Sequence, residues 1–172
     1  MKHPPSRVQD LPFRWPEPPL HVVLVEPEIP PNTGNVARLC AATGCRLHLV
    51  EPLGFPIDHA KLRRAGLDYW DSIRPELHPD FDTFLTRVAP PRLHLFSAGA
   101  KRSCFDTRFA PGDALVFGPE TRGLSDVLLT RFAAQVVGIP VRMEHVRSLN
   151  LSTAVGIGVY EALRQVQGGH FV

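Results

Sequence analysis

Asn35 and Arg38 lie three residues apart in the run Pro30-Pro31-Asn32-Thr33-Gly34-Asn35-Val36-Ala37-Arg38. On a helix that spacing sets an amide beside a guanidinium, away from the Val36/Cys40 stripe, where the pair could grip an anion or steer a hydroxyl in a crevice. Free backbone N–H groups at the helix start would add to such a site. A capped helix with one solvated arginine fits the same residues. A second run, Phe117-Gly118-Pro119-Glu120-Thr121-Arg122-Gly123-Leu124-Ser125, gives Gly118 and Gly123 the G-x-x-x-x-G spacing of a phosphate loop. Leu124-Ser125 replaces the lysine-containing pair, so the run makes a poor nucleoside-triphosphatase loop. A glycine at a strand end still lets a ligand approach the backbone, although an ordinary Gly/Pro turn fits equally well. The third run, Arg147-Ser148-Leu149-Asn150-Leu151-Ser152-Thr153-Ala154, follows the irregular link Gly138-Ile139-Pro140. It crowds Ser148, Asn150 and Ser152 onto a helix start, where their oxygens can cap the helix or turn toward a ligand.

These runs need a frame to position them. Val22-Val23-Leu24-Val25, closed by Glu26-Pro27, reads as a buried strand. A helix over 33–43 follows, with Asn32 or Thr33 as its cap, Val36, Leu39, Cys40 and Thr43 on one face, and Gly44 at its C-terminal turn. Further strands are predicted at 47–50, 93–96, 114–117 and 135–139, separated by helices at 58–66, 80–88 and 124–132, with a last helix over about 150–166. This alternation predicts an α/β fold with a mostly parallel sheet flanked by helices. Chemistry in such sheets sits beyond the carboxyl ends of the strands, where all three runs fall. Gly156 and Gly158 lie inside the last helix, where each glycine costs about 0.5–1 kcal/mol, so close packing against another backbone is the expected compensation. With no strand before them they are not a dinucleotide fingerprint, and no glycine-rich turn follows the first strand.

The 172 residues are 44% hydrophobic, with 19 Lys+Arg against 17 Asp+Glu, which suits one globular domain that buries about 68–70% of its unfolded surface. No apolar run approaches the ~20 residues of a membrane span, and the first residues do not resemble a secretory signal, so a soluble, cytoplasmic protein is expected. Cys40, Cys45 and Cys104 lack CxxC spacing and are expected to be reduced core residues. Neither a G-x-S-x-G elbow nor an H-E-x-x-H motif is present. His48 and His94 occupy Arg-Leu-His-Leu contexts that favour packed imidazoles, so neither is given a role and no metal is expected. Six of the 18 prolines fall in residues 1–20, marking an extended or disordered arm ahead of a single domain over 21–172. Lys2, Arg7 and Arg14 could let that arm touch RNA, but Asp10 and Glu17 dilute its charge.

Taken together, Pro27-Glu28-Ile29-Pro30-Pro31-Asn32-Thr33-Gly34-Asn35 with Arg38, Phe117-Gly118-Pro119-Glu120-Thr121-Arg122-Gly123, and Ser148-Leu149-Asn150-Leu151-Ser152 resemble the three motifs of the SpoU branch of the SPOUT RNA methyltransferases. The intervening Leu62-Arg63-Arg64-Ala65-Gly66-Leu67-Asp68-Tyr69 is similar to the short TrmL type within it, the tRNA wobble-nucleotide 2′-O-methyltransferases. The similarity runs from about residue 20 to 167.

The resemblance implies a C-terminal deep trefoil knot, an exception to the rule against knots that no pattern argument reaches. It implies that S-adenosylmethionine, leaving as S-adenosylhomocysteine, is held by Phe96, Ser97, Gly118, Glu120, Ile139, Ser148 and Leu149. Arg38 matches the arginine assigned to the ribose proton, with Asn35, Ser148 and Asn150 as support and Glu120 shaping its loop. The methyl donor arrives activated, so alignment and proton management are what the protein must supply. A homodimer is implied, with the surface around Gly156, Gly158 and Tyr160 as its candidate face. The implied substrate is the anticodon stem-loop of tRNA, methylated at the pyrimidine of position 34; another tRNA or ribosomal RNA position, or a non-catalytic RNA-binding module, are the alternatives. Lys61, Arg63, Arg64, Arg122 and Arg147 are the expected phosphate contacts, local clusters that suffice despite a net charge of only +2. The link from Val141 to Val146 is about one residue longer than the family's usual one.

Overall fold

The computed structural model describes residues 11–56, 73–142, 144 and 146–167. The helix predicted over 58–66, and with it Lys61, Arg63 and Arg64, lies outside the described residues. The elements in chain order are β1 (His21–Val25), α1 (Pro30–Thr43), β2 (Arg46–Val50), β3 (Glu76–His78), α2 (Phe81–Val88), β4 (Leu93–Phe96), β5 (Ala114–Phe117), α3 (Asp126–Arg131), β6 (Val136–Val137) and α4 (Leu151–Gln167). A short 3-10 turn, Cys104–Asp106, lies between β4 and β5. The strands form one sheet in the order β3-β2-β1-β5-β4-β6, and every pairing is parallel.

Alternation along the central strands explains the burial. Val22 and Leu24 of β1, with Leu47, Leu49, Leu115 and Phe117, meet Val36, Ala37 and Cys40 of α1 and Val155, Val159 and Leu163 of α4. Val23 and Val25, with Val50, Leu95 and Val116, meet Phe81 and Phe84 of α2 and Leu128 and Leu129 of α3 on the opposite face. Because both faces are covered, these strands read as continuous apolar runs. The arm ahead of β1 carries no helix or strand from residue 11 onward, yet Phe13 packs on the α1/α4 core and Leu20 is fully buried.

Several boundaries differ from expectation. α1 starts at Pro30 with Ile29 as its cap and no side-chain capping bond, so Asn32 and Thr33 are buried inside the helix. Proline suits the first helical turn because its missing N–H would go unbonded there, and Pro30-Pro31 is the signal that places the start. Gly44 ends the helix at φ +70°, as predicted. β6 keeps only two of the five predicted residues, since Gln135 closes a 3-10 turn and Gly138 makes only an isolated bridge to Ser103. Gly158 is buried in the chain's own core: a Cβ there would lie 2.9 Å from Phe96 Cζ and 3.3 Å from Phe117 Cζ. Of the trio proposed as a dimer face, only Gly156 and Tyr160 remain at the surface.

At the amino end of β5, Asp113 is fully buried and accepts from Arg92 Nε at 3.0 Å and the Ala110 N–H at 2.9 Å, with His94 Nε2 at 2.8 Å. Burial alone would raise its pKa, but the hydrogen bonds from His94, Ala110 and Arg92 outweigh it and hold the carboxyl below its ordinary value. The unfolded chain then binds the proton more readily, so the stability contributed is complete above the unfolded pKa and is lost as pH falls through the folded one. Asp113→Asn is expected to cost about 2–3 kcal/mol at pH 7 and to flatten the acid limb of the stability curve. Urea unfolding of both proteins at pH 7 and pH 3 checks this.

Candidate active site

A cavity of about 680 Å³ opens at the carboxyl ends of β4 and β5 and is closed by the link after β6 and the start of α4. Its size falls in the range of about 300–1,000 Å³ typical of small-molecule sites. Phe96, Ser97, Gly118, Glu120, Ile139, Ser148 and Leu149, all expected from the sequence, line it together with Asn150 and Arg122. Phe96 stacks on Phe117 with ring centroids 4.5 Å apart, and Ile139, Leu149 and Leu151 extend an apolar wall. Ser97, Ser148 and Asn150 are among the polar positions along it.

Gly118 is required by the loop itself. A Cβ at this position would fall 2.2 Å from Leu124 N and 2.3 Å from Gly123 C, because the chain folds back on itself, with the Gly123 N–H donating to Pro119 O at 2.9 Å. Gly123 turns at φ +70°, a conformation that glycine adopts without strain. The triphosphate-loop spacing of the two glycines thus reflects a tight backbone turn.

Glu120 ties that turn to the first motif. Its Oε2 accepts from the Glu28 N–H at 2.8 Å, and its Oε1 accepts from the Ile29 N–H and Asn32 Nδ2, each at 3.1 Å. Asn32 Oδ1 in turn accepts from Asn150 Nδ2 at 3.0 Å, while Asn150 Oδ1 caps α4 by accepting from the Ser152 N–H at 2.9 Å and Ser152 Oγ at 2.7 Å. One hydrogen-bonded chain therefore joins all three sequence runs. Glu28 adds a second tie, accepting from the Thr121 N–H at 3.1 Å and from Thr121 Oγ1. Arg122 pairs with Glu26, which lies at φ +50° at the end of β1. That pairing already engages the Arg122 charge, unlike the simple phosphate contact expected from the sequence.

Both oxygens of Glu120 are committed to donors, so it holds the loop and is not placed as a proton-transfer group. Glu120→Gln replaces one acceptor oxygen with an NH₂ facing a donor. The expected cost is about 2 kcal/mol of stability, with weaker cavity binding, checked by thermal unfolding and calorimetry.

Asn35 and Arg38 are exposed on α1 and are not among the residues lining the cavity of the single chain. Asn32, taken from sequence only as a helix cap, is the α1 residue in its wall. Arg147 is exposed beside Ser148 and does not line the cavity. The long link is described in part, and Val141 contributes to the wall. The ionisable residues among the described lining are Glu120, Arg122 and Asp126.

Known proteins point the same way. Residues 19–160 match the family described as SpoU rRNA Methylase. The chain is 54% identical over 154 residues to the tRNA (cytidine(34)-2'-O)-methyltransferase of Burkholderia pseudomallei (strain 1106a), covering 87% of this chain and 98% of that one. A solved structure concerning the 2-OH methylation of C/U34 on tRNA is 51% identical, with TM-score 0.77, covering 85% of this chain and 95% of that one. The SpoU methyltransferase AviRb from Streptomyces viridochromogenes, solved in complex with AdoMet, is 25% identical with TM-score 0.75, covering 94% of this chain and 62% of that one. With three motifs converging on one cavity and a family match over most of its length, the chain belongs to the SpoU rRNA methylase family.

Proposed function

We propose that the chain transfers the methyl group of S-adenosylmethionine to the ribose 2′-OH of the wobble pyrimidine, nucleotide 34, of tRNA. The observation that carries this reading is the hydrogen-bonded chain Glu120–Asn32–Asn150, which brings the three motifs of a wobble-methyltransferase-like sequence to one cavity. The cavity suits the donor: its apolar wall accepts an aromatic base and the aliphatic chain beside the sulfonium, and serines and backbone groups supply the polar contacts. Phe96, Ser97, Gly118, Glu120, Ile139, Ser148 and Leu149 hold it there. S-adenosylmethionine supplies a sulfonium-activated methyl group and leaves as S-adenosylhomocysteine.

The remaining task is to present the ribose oxygen in line and to manage its proton. Arg38 orients the 2′-oxygen and stabilises developing negative charge. Its guanidinium fork donates hydrogen bonds and has no acceptor position, so electrostatic help is its larger part. Asn35 and Ser148 support that alignment, and Asn150 positions the wall through Asn32. The exposed setting of Asn35 and Arg38 on α1 favours a homodimer whose crevice is completed by the second copy. Lys61, Arg63, Arg64 and Arg147, with a smaller share from Arg122, contact phosphates of the anticodon stem-loop. The proposal includes the C-terminal trefoil knot, supported by β6 pairing beside β4 while α4 returns to pack on β5 and α1. It also places the protein in the cytoplasm, where tRNA is found; no described helix is long and apolar enough to cross a membrane.

Mapping 2′-O-methylation in tRNA from a strain lacking the gene tests the reading. Loss at position 34, restored by the intact gene, is the expected result; loss at a different nucleotide would move the substrate assignment elsewhere.

A further inference from the structure

The edge of the sheet away from the cavity carries a second cluster of chemistry-bearing side chains. His48 of β2 lies in register with Glu76 of β3, and His78, two residues farther along β3, falls on the same face. His48 Nδ1 is 3.1 Å from His78 Nε2 and 3.8 Å from Glu76 Oε2, and the three ligating atoms lie within 4.8 Å of one another. A tetrahedral ion with bonds of about 2.0–2.1 Å sets its ligand atoms about 3.3 Å apart, so the two histidine nitrogens already stand near coordination spacing and the exposed Glu76 carboxylate has to swing inward to join them. None of the three residues lines the methyl-transfer cavity.

We infer that His48, Glu76 and His78 bind a divalent transition-metal ion of the zinc class, with water in the fourth position. Two imidazoles and one carboxylate form a donor set that zinc accepts. The far ring nitrogen of His48, Nε2, is 2.9 Å from His21 Nδ1, and donation of its N–H to His21 leaves the Nδ1 lone pair facing His78 and Glu76. A ligating histidine is held by this kind of outer hydrogen bond. Phe84 meets both rings edge-on, with centroids 5.2 Å from His48 and 5.4 Å from His78, and forms an apolar wall. His48 and His78 are buried, whereas the Glu76 side chain is 54% exposed and offers an entry path.

Without an ion, the two rings share a single hydrogen bond that uses one of the facing lone pairs. An ion uses both and adds the carboxylate. Because methyl transfer needs no metal, the ion's effect falls on stability: it clamps the three-residue edge strand β3 to β2.

The test uses the full chain, stripped with a chelator and dialysed, then titrated with zinc alone, cobalt alone or magnesium alone. Expected are one zinc per chain, a tetrahedral-type cobalt absorption band, and a rise in melting temperature of roughly 5–10 °C at about 100 times Kd, with no response to magnesium. Glu76→Gln, exposed and compatible with folding, should weaken zinc binding at least about tenfold, and His78→Asn should abolish the cobalt band. Failure to bind a stoichiometric ion overturns the inference and leaves a hydrogen-bonded histidine row. Binding unchanged in both variants overturns it equally, by placing the ion elsewhere.

Discussion

Gly118→Ala is expected to abolish S-adenosylmethionine binding by calorimetry and to lower methyl transfer by at least about 10²-fold, a loss of roughly 2.7 kcal/mol or more. The added methyl would sit 2.2 Å from Leu124 N and 2.3 Å from Gly123 C. Both are backbone atoms, so no rotamer change relieves the overlap and the loop itself must open. Opening draws Glu120 away from the Glu28 and Ile29 N–H groups and from Asn32, and with them the wall shared by all three motifs. The sheet does not depend on this loop and should stay folded by circular dichroism. Gly156→Ala is the contrasting change within one chain: its Cβ meets nothing within 4 Å there, and removing a glycine from the interior of α4 should stabilise the fold of that chain by about 0.5–1 kcal/mol. Normal binding by Gly118→Ala would show that the loop geometry does not shape the donor site.

Arg38→Ala is expected to lower the single-turnover rate by about 10²–10³-fold, the usual worth of a group that stabilises charge developing in the transition state. Its effect should separate from that of Gly118. Arg38 is exposed on α1 and does not line the cavity of its own chain, so donor affinity should stay within about twofold of the original if the two sites act independently. Arg38→Lys keeps the charge but loses the planar fork and should recover only part of the rate. Undiminished turnover in Arg38→Ala would remove the residue from the mechanism.

How far the sequence discloses this arrangement depends on the kind of signal each residue carries. β4 and β5 match their predicted bounds because both are uniform apolar or buried runs cut off by a sharp change, Ser97 after one and Gly118 after the other. β3 is not predicted: Glu76-Leu77-His78 is too short for a periodic signal, and its one aliphatic residue is exposed while a histidine faces inward. The cavity residues are legible through family motifs, whereas the reason for them is not. Gly118 suggests close approach of a ligand, yet the atoms that demand glycine belong to Gly123 and Leu124, brought back by a turn. Asn32 is hidden by placing the helix start at residue 33; with the start at Pro30, it moves inside the first turns and reaches Glu120 and Asn150. Those bonds span 88 and 118 residues of chain, a separation at which local pattern carries no information. Gly158 likewise suggests an interface, while the rings it accommodates are the chain's own Phe96 and Phe117.

The most direct measurement is methyl transfer by the purified chain from radiolabelled S-adenosylmethionine to two tRNAs that differ only at position 34, one with ribose and one with 2′-deoxyribose. Stoichiometric labelling of the first and none of the second is the predicted result. Equal labelling of both, or of neither while a different RNA is methylated, would contradict the assignment of the ribose 2′-oxygen of nucleotide 34 as the methyl acceptor.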